Sequence, residues 1–272
     1  MPILELSDGN GLLYIHTPPS ASEGRAFVFF NALTGDTGMW KGAIGEGLWA
    51  AGHGTLSFNF RGQTDSPFSP EIDLNETLIV EDARRLLAHV RPSKVVLVGL
   101  SIGGLFAAKV WLAGIEGVEV NGLVLINTLR RDGPRLKWIN DALVRCVQVG
   151  GLDLFRDLFV PLLFNEEWLA DNRANFLKDA PYVTLPSDSG HANLLRNAGT
   201  ADWNIPYENL TLPVLVITGL QDRVFLVVED VAALYARLPY AQRIDMADAA
   251  HLLPAERPGA LVTALLDFVE GL

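Results

Sequence analysis

The chain of 272 residues carries 21 Lys and Arg against 32 Asp and Glu, a net charge of −11, with 49% hydrophobic and 19% charged residues. That balance excludes a disordered chain, which is poorer in apolar residues, and a nucleic-acid binder, which needs clustered cations to neutralise phosphates. It also disfavours an anionic membrane surface. No run reaches the ~18 apolar residues of a membrane span, and the start MPILELSDGN lacks a basic region followed by an apolar signal core, so the expected location is the cytoplasm. Cys146 has no partner for a disulfide or a CxxC site and reads as a small buried hydrophobe in a helix.

In chain order, the segments 3–6 and 12–16, joined by Asp8-Gly9-Asn10-Gly11, read as an antiparallel hairpin turning at Asn-Gly. Apolar runs then follow at 26–30, 55–60, 95–98, 123–126 and 214–217, rich in Val, Ile, Leu and Phe, with a shorter strand at 243–246. Continuous runs of this kind belong to strands buried on both faces. Between them lie helical patterns at 40–50, 74–90, 102–112 and 227–238, and a last one at 258–269 that opens on Pro258. Strand and helix alternating in this way predict an α/β fold, a mostly parallel central sheet with helices on both faces.

The alternation breaks once. Over 129–207 no strand run appears, and Trp138, Phe155, Phe159, Phe164, Trp168, Phe176, Tyr182 and Trp203 recur on helix-like spacing. This segment reads as a helical insertion over the sheet. The expected division is therefore a core from 1–128 and 208–272, with an inserted helical cap at 129–207.

The chemistry concentrates at Gly99-Leu100-Ser101-Ile102-Gly103-Gly104, directly after the strand run 95–98 and directly before a helical pattern. A strand, a sharp turn centred on Ser and then a helix form a nucleophile elbow, in which small neighbours let the backbone turn tightly and hold the hydroxyl exposed. The Ile102 N–H, at a helix N-terminus, would face the reacting centre. The plainer alternative for Ser101 is a helix N-cap flanked by packing glycines.

A serine hydroxyl needs a base, and the base an orienting acid. Asp222 follows the strand run 214–217 in Thr218-Gly219-Leu220-Gln221-Asp222, and His251 follows the last strand in Ala247-Asp248-Ala249-Ala250-His251. Asp245 and Asp248 compete for the acid's role by proximity. Asp248 reads as a solvated loop residue, and Asp245 would point from a strand. His16, His53 and His89 precede the elbow and read as surface or capping residues, while His191 sits in the insertion, where it could line a cavity.

Ser, then acid, then His, with a strand before each, resembles the α/β-hydrolase fold superfamily, and within it the esterases, lactonases and carbon–carbon hydrolases that carry a helical cap. The likeness covers nearly the whole chain except the insertion. It implies that Ser101 attacks an acyl carbon, that His251 takes and returns the proton, and that Asp222 orients the imidazole. It further implies an oxyanion hole from the backbone N–H groups of Ile102 and Leu33. Relatives often carry His-Gly ahead of the second donor, where this chain has Asn31-Ala32, and Ala permits fewer backbone angles than Gly. A second landmark, Asp-x-Arg-Gly-x-Gly-x-Ser, is here Asn59-Phe60-Arg61-Gly62-Gln63-Thr64-Asp65-Ser66. Arg61, Gly62 and Ser66 match; Arg61 is most simply structural, its other use being to meet a substrate carboxylate.

A Ser at the elbow points away from the carboxylate-nucleophile dehalogenases and epoxide hydrolases and toward esters, thioesters, lactones and activated ketones. The expected partner is thus a small acyl substrate, contacted by residues such as Asn31, Arg61, Trp138 and His191, with no cofactor. No group of residues has metal-ligand spacing, Asp36, Asp65 and Asp73 standing apart, and the oligomer is expected to be a monomer or a homodimer. A ligand sensor that has lost catalysis, an acyltransferase and a cofactor-free haloperoxidase are the other readings the same residues admit.

Overall fold

A computed structural model describes all 272 residues. Eight strands form one sheet: β1 (Ile3–Ser7), β2 (Asn10–Thr17), β3 (Ala26–Phe30), β4 (Gly54–Phe58), β5 (Val95–Leu100), β6 (Val120–Ile126), β7 (Val214–Gly219) and β8 (Ala241–Met246). Their order across the sheet is β1-β2-β4-β3-β5-β6-β7-β8. The first hairpin is antiparallel, β2 pairs antiparallel with β4, and every later pairing is parallel. The hairpin turns at Asp8-Gly9, with Gly9 at φ 68°, and not at Asn10-Gly11, which already belong to β2.

The sheet is covered on both faces, and the period of two within its strands sorts the core. Val28, Phe30, Val95 and Leu97 pack with Leu86, Phe106 and Leu234. Those come from α2 (Glu76–Val90), α3 (Ile102–Ala113) and α7 (Val228–Tyr235). Phe27, Phe29, Val96 and Val98 pack on the opposite side with Leu48, Leu253, Leu265 and Phe268. Those belong to α1 (Ala43–Ala50), α8 (Leu253–Glu256) and α9 (Pro258–Glu270). Runs such as Ala26–Phe30 are buried at every residue because successive side chains enter different cores. Emptying one of these sites, as in Phe27→Ala, would cost about 3–5 kcal/mol.

The helix expected over 40–50 is two elements, a 3-10 turn at Thr37–Trp40 and α1, separated by Gly42 at φ 60°. Between β6 and β7 the chain holds three α-helices and no strand: α4 (Pro134–Leu163), α5 (Glu166–Asn172) and α6 (Gly190–Ala198). α4 is broken at Gly151, whose φ of 68° leaves the helical region. No helix is long and apolar enough to cross a membrane.

This region docks on the sheet loops through main-chain bonds. At the end of α4, Leu163 O accepts from His251 N at 3.0 Å and Leu162 O from Arg223 N at 3.0 Å. Glu256 Oε2 joins both sides, accepting from Asn165 N and Ala250 N, each at 2.9 Å.

Candidate active site

Strand β5 delivers Ser101 at the carboxyl edge of the sheet with φ 58° and ψ −124°. A non-glycine residue at positive φ is strained and persists only where its surroundings hold it. Here Ser101 N donates to Ile126 O at 2.8 Å and Thr128 Oγ1 donates to Ser101 O at 3.0 Å. The turn also needs two of its glycines for close approach. A Cβ on Gly99 would lie 2.3 Å from Gly104 Cα, and one on Gly103 would lie 2.3 Å from Phe30 O.

The loops after β7 and β8 bring Asp222 to His251, with 2.6 Å between Asp222 Oδ2 and His251 Nδ1, both side chains buried. A carboxylate can only accept, so the proton of that bond sits on Nδ1, and in the neutral imidazole Nε2 is then the acceptor. Asp222 Oδ1 accepts from Val224 N at 2.9 Å and Phe225 N at 3.0 Å. Burial pushes the Asp222 carboxyl up, but the imidazole and these two N–H donors together outweigh it and hold the carboxyl below its ordinary value. Asp245 and Asp248 lie outside this arrangement, paired with Arg243 and Arg257.

Ser101 and His251 line one cavity of about 100 Å³, together with Leu33, Ile102, Arg130, Phe155, Trp203 and Phe225 among mostly apolar neighbours. Ile102 is the first residue of α3, so its N–H has no partner within the helix. The cavity is small beside the 300–1,000 Å³ typical of sites for drug-sized ligands, which suits a compact substrate.

The loop bearing Leu33 is held by polar side chains. Asn31 Nδ2 donates to Phe58 O at 2.8 Å, Gln63 Oε1 at 3.1 Å and Asn59 Oδ1 at 3.2 Å, while Asn31 Oδ1 accepts from Trp40 Nε1 at 2.7 Å. Gln63 Nε2 in turn donates to Ala32 O at 2.9 Å and Leu33 O at 3.1 Å. The unusual Asn31-Ala32 pair and the unusual Asn59 are thus halves of one network.

Four residues expected to meet substrate do not line this cavity. Asn31 is fully buried and spends its amide on the loop. Arg61 is buried in a two-point ion pair with Asp82, Nε and Nη2 each 2.6 Å from a carboxylate oxygen. Trp138, on α4, is 79% exposed. His191 is half-buried at the start of α6, near Arg156 and Asp36. Of the eight aromatics picked out in the insertion, Phe155 and Trp203 reach the cavity; others pair among themselves, as in the stacked Phe164 and Trp168.

Three residues that sequence reasoning passed over are central. Asn127, at φ 49°, donates from Nδ2 to Ala250 O and His251 O, both at 2.9 Å, and accepts from Gly219 N at 2.8 Å, so one side chain ties the ends of β6 and β7 to the His loop. Glu256 clasps the same loop from α8. Arg130, 94% buried by its 6% exposure, donates from Nη2 to Ser101 Oγ at 3.0 Å and to Asn127 O at 2.8 Å. No local motif marks these residues. A cation four residues past a strand run was the one available signal.

A family model described as the alpha/beta hydrolase family matches residues 27–265. Among curated proteins, 3-oxoadipate enol-lactonase 1 of Acinetobacter baylyi is 24% identical over 258 residues, covering 91% of this chain and 89% of that protein. Among solved structures, an alpha/beta hydrolase enzyme from a Medee basin deep-sea metagenome library superposes with a TM-score of 0.82 at 19% identity, over 99% of this chain and 97% of the other. The enol-lactonase from Burkholderia xenovorans LB400 superposes with a TM-score of 0.78 at 20% identity, over 99% and 100% of the two chains. With its sheet order, its strained Ser after β5 and a family match across most of its length, the chain belongs to the alpha/beta hydrolase family.

Proposed function

We propose that this enzyme is a serine hydrolase of small esters and lactones, with Ser101 as nucleophile, His251 as base and Asp222 as the acid that orients it. The observation that carries this reading is the 2.6 Å contact of Asp222 with His251, facing the same cavity as a serine held at φ 58°. The enol-lactonase relatives add weight to the lactone side of the reading.

In the proposed reaction, His251 Nε2 accepts the Ser101 Oγ proton as the oxygen bonds to the substrate's carbonyl carbon. The carbonyl π pair moves onto oxygen, and the Ile102 and Leu33 N–H groups receive that charge. His251 then returns the proton to the departing alkoxide or enolate, leaving an acyl-serine. Water, deprotonated by the same imidazole, attacks the acyl carbon and the serine oxygen leaves with the proton, so one water is consumed and one acid and one alcohol are formed. In a lactone both products remain one molecule. Ser101 Oγ accepts from Arg130 in the absence of substrate, and the Ser–His contact forms as substrate binds, in keeping with the looser catalytic hydrogen bonds of ligand-free sites. The residues 129–207 serve in this reading as the cap that closes the acyl pocket.

The test is hydrolysis of 4-nitrophenyl butyrate and dihydrocoumarin by the unmodified protein, with Ser101→Ala and His251→Ala alongside. Turnover of either compound, lost in both variants with circular dichroism unchanged, supports the reading. Equal activity in Ser101→Ala, or none in the folded unmodified protein, contradicts it.

A further inference from the structure

The cavity beside Ser101 holds a cation for which the reaction above has no use. Arg130 and His251 are the two lining side chains able to carry positive charge, in a chain whose net charge is −11. Burying a guanidinium is costly unless acids pair it. Arg61 shows how this chain meets that cost elsewhere, with both Asp82 oxygens. Arg130 has no carboxylate partner. Its hydrogen bonds go to a hydroxyl and a carbonyl, and its Nε is buried with no acceptor at all.

The surroundings fix the group while leaving Nε without an acceptor. Its central carbon lies over two aromatic rings, 4.6 Å from the Trp203 ring centre and 4.4 Å from that of Phe225. Such contacts orient the guanidinium, and a two-point acceptor can take its Nε–Nη2 edge by displacing the Ser101 hydroxyl. Burial pushes its pKa down to about 10, with Asp222 and Tyr207 opposing the fall, so it is fully charged at neutral pH.

We infer that Arg130 is a specificity-determining residue that receives a carboxylate on the substrate, so that the preferred substrates are short acidic esters or lactones. This deepens the hydrolase reading of the site and rests on it. One edge of the fork is 3.0 Å from Ser101 Oγ, so the carboxylate must lie close to the carbonyl under attack. With C–C steps of about 1.5 Å, a spacer of roughly two or three carbons spans the gap. A substrate carboxylate takes the edge shared by Nε and Nη2, one oxygen on the unmatched Nε and the other replacing Ser101 Oγ at Nη2, and the apolar walls pack the spacer.

The experiment compares mono-4-nitrophenyl glutarate with 4-nitrophenyl 5-methylhexanoate, in which an isopropyl group replaces the carboxylate, each corrected for uncatalysed hydrolysis. The unmodified enzyme is expected to favour the glutarate ester in kcat/KM by about 30-fold, the scale of one charge-assisted two-point contact. In Arg130→Met the ratio should fall at least tenfold, and in Arg130→Lys it should fall to an intermediate value, since lysine keeps the charge without the fork. Calorimetry with sodium glutarate on Ser101→Ala reads the subsite without turnover. Saturable binding there, lost in Ser101→Ala/Arg130→Met, supports the inference even if neither ester is hydrolysed, an outcome that would remove the hydrolase reading alone. Preference of the unmodified enzyme for the neutral ester, with no glutarate binding, overturns the inference and leaves the hydrolase reading standing. A ratio unchanged by either substitution overturns it as well. The first comparison and the calorimetry on Ser101→Ala need no Arg130 variant, so a variant that fails to fold does not shelter the proposal.

Discussion

In the floor beneath the cavity the polar side chains that hold its loops are paired with one another, whereas on its wall Arg130 is left short of partners. Asn31, Asn59 and Gln63 hold the Leu33 loop. Asp222 accepts three hydrogen bonds, and Asn127 ties three loops together. Arg130, equally buried, keeps an unmatched Nε beside two aromatic rings. Paired groups fix geometry, which the proposed chemistry needs in every turnover. An unpaired one holds free energy back for a ligand, at a cost to the resting protein.

The floor can be broken by removing its central atoms. Ser101→Ala or His251→Ala should lower kcat about 10⁴-fold or more, read on 4-nitrophenyl butyrate. Asp222→Asn follows, with a loss of about 10³- to 10⁴-fold. It also carries a signature in acid unfolding. Because the folded-state pKa of Asp222 lies below the ordinary carboxylate value, its contribution to stability is present above that value and disappears as pH falls through the folded one. Asn at this position should flatten the loss of stability below about pH 4, measured by urea midpoints against pH.

Smaller effects test the supports. Asn59→Ala frees the Thr37 N–H and Asn31 that it bonds, and by loosening the Leu33 loop should cost about 10- to 100-fold in kcat with little change in KM. Glu256→Ala leaves Ala250 N and Asn165 N without their acceptor and should lower stability by about 2 kcal/mol in thermal unfolding. The wall predicts a change of the opposite sign. Arg130→Met removes a buried cation that has no acid partner, and should raise stability by about 1 kcal/mol; a comparable loss would place Arg130 with the structural groups of the floor.

Much of the floor could be read from the sequence because it is built from local signals. Apolar runs such as Ala26–Phe30 mark strands that are buried on both faces, and a Ser set between small residues after one of them marks the elbow. Asp222 and His251 each follow a strand in the expected order. The wall was not readable in the same way. Trp138 and Trp203 carry the same residue type on similar patterns, yet one is 79% exposed and the other 5%, since the face each presents depends on how α4 and the chain after α6 pack. Arg61, most simply structural by motif, is held by Asp82, 21 residues away, and its other use as a carboxylate binder is thereby closed. Arg130 gives no sign in sequence that its guanidinium ends at Ser101 Oγ. Asn31-Ala32 departs from the His-Gly of relatives, and no local pattern signals that Asn59 and Gln63 bond it.

The central claim is that the floor activates Ser101. Intact-mass detection of labelling by a fluorophosphonate tests it with no assumption about substrate. The account predicts one adduct per chain, on Ser101, absent in Ser101→Ala and slowed by orders of magnitude in His251→Ala. A folded protein that takes up no label, or one that labels equally well without His251, would contradict it.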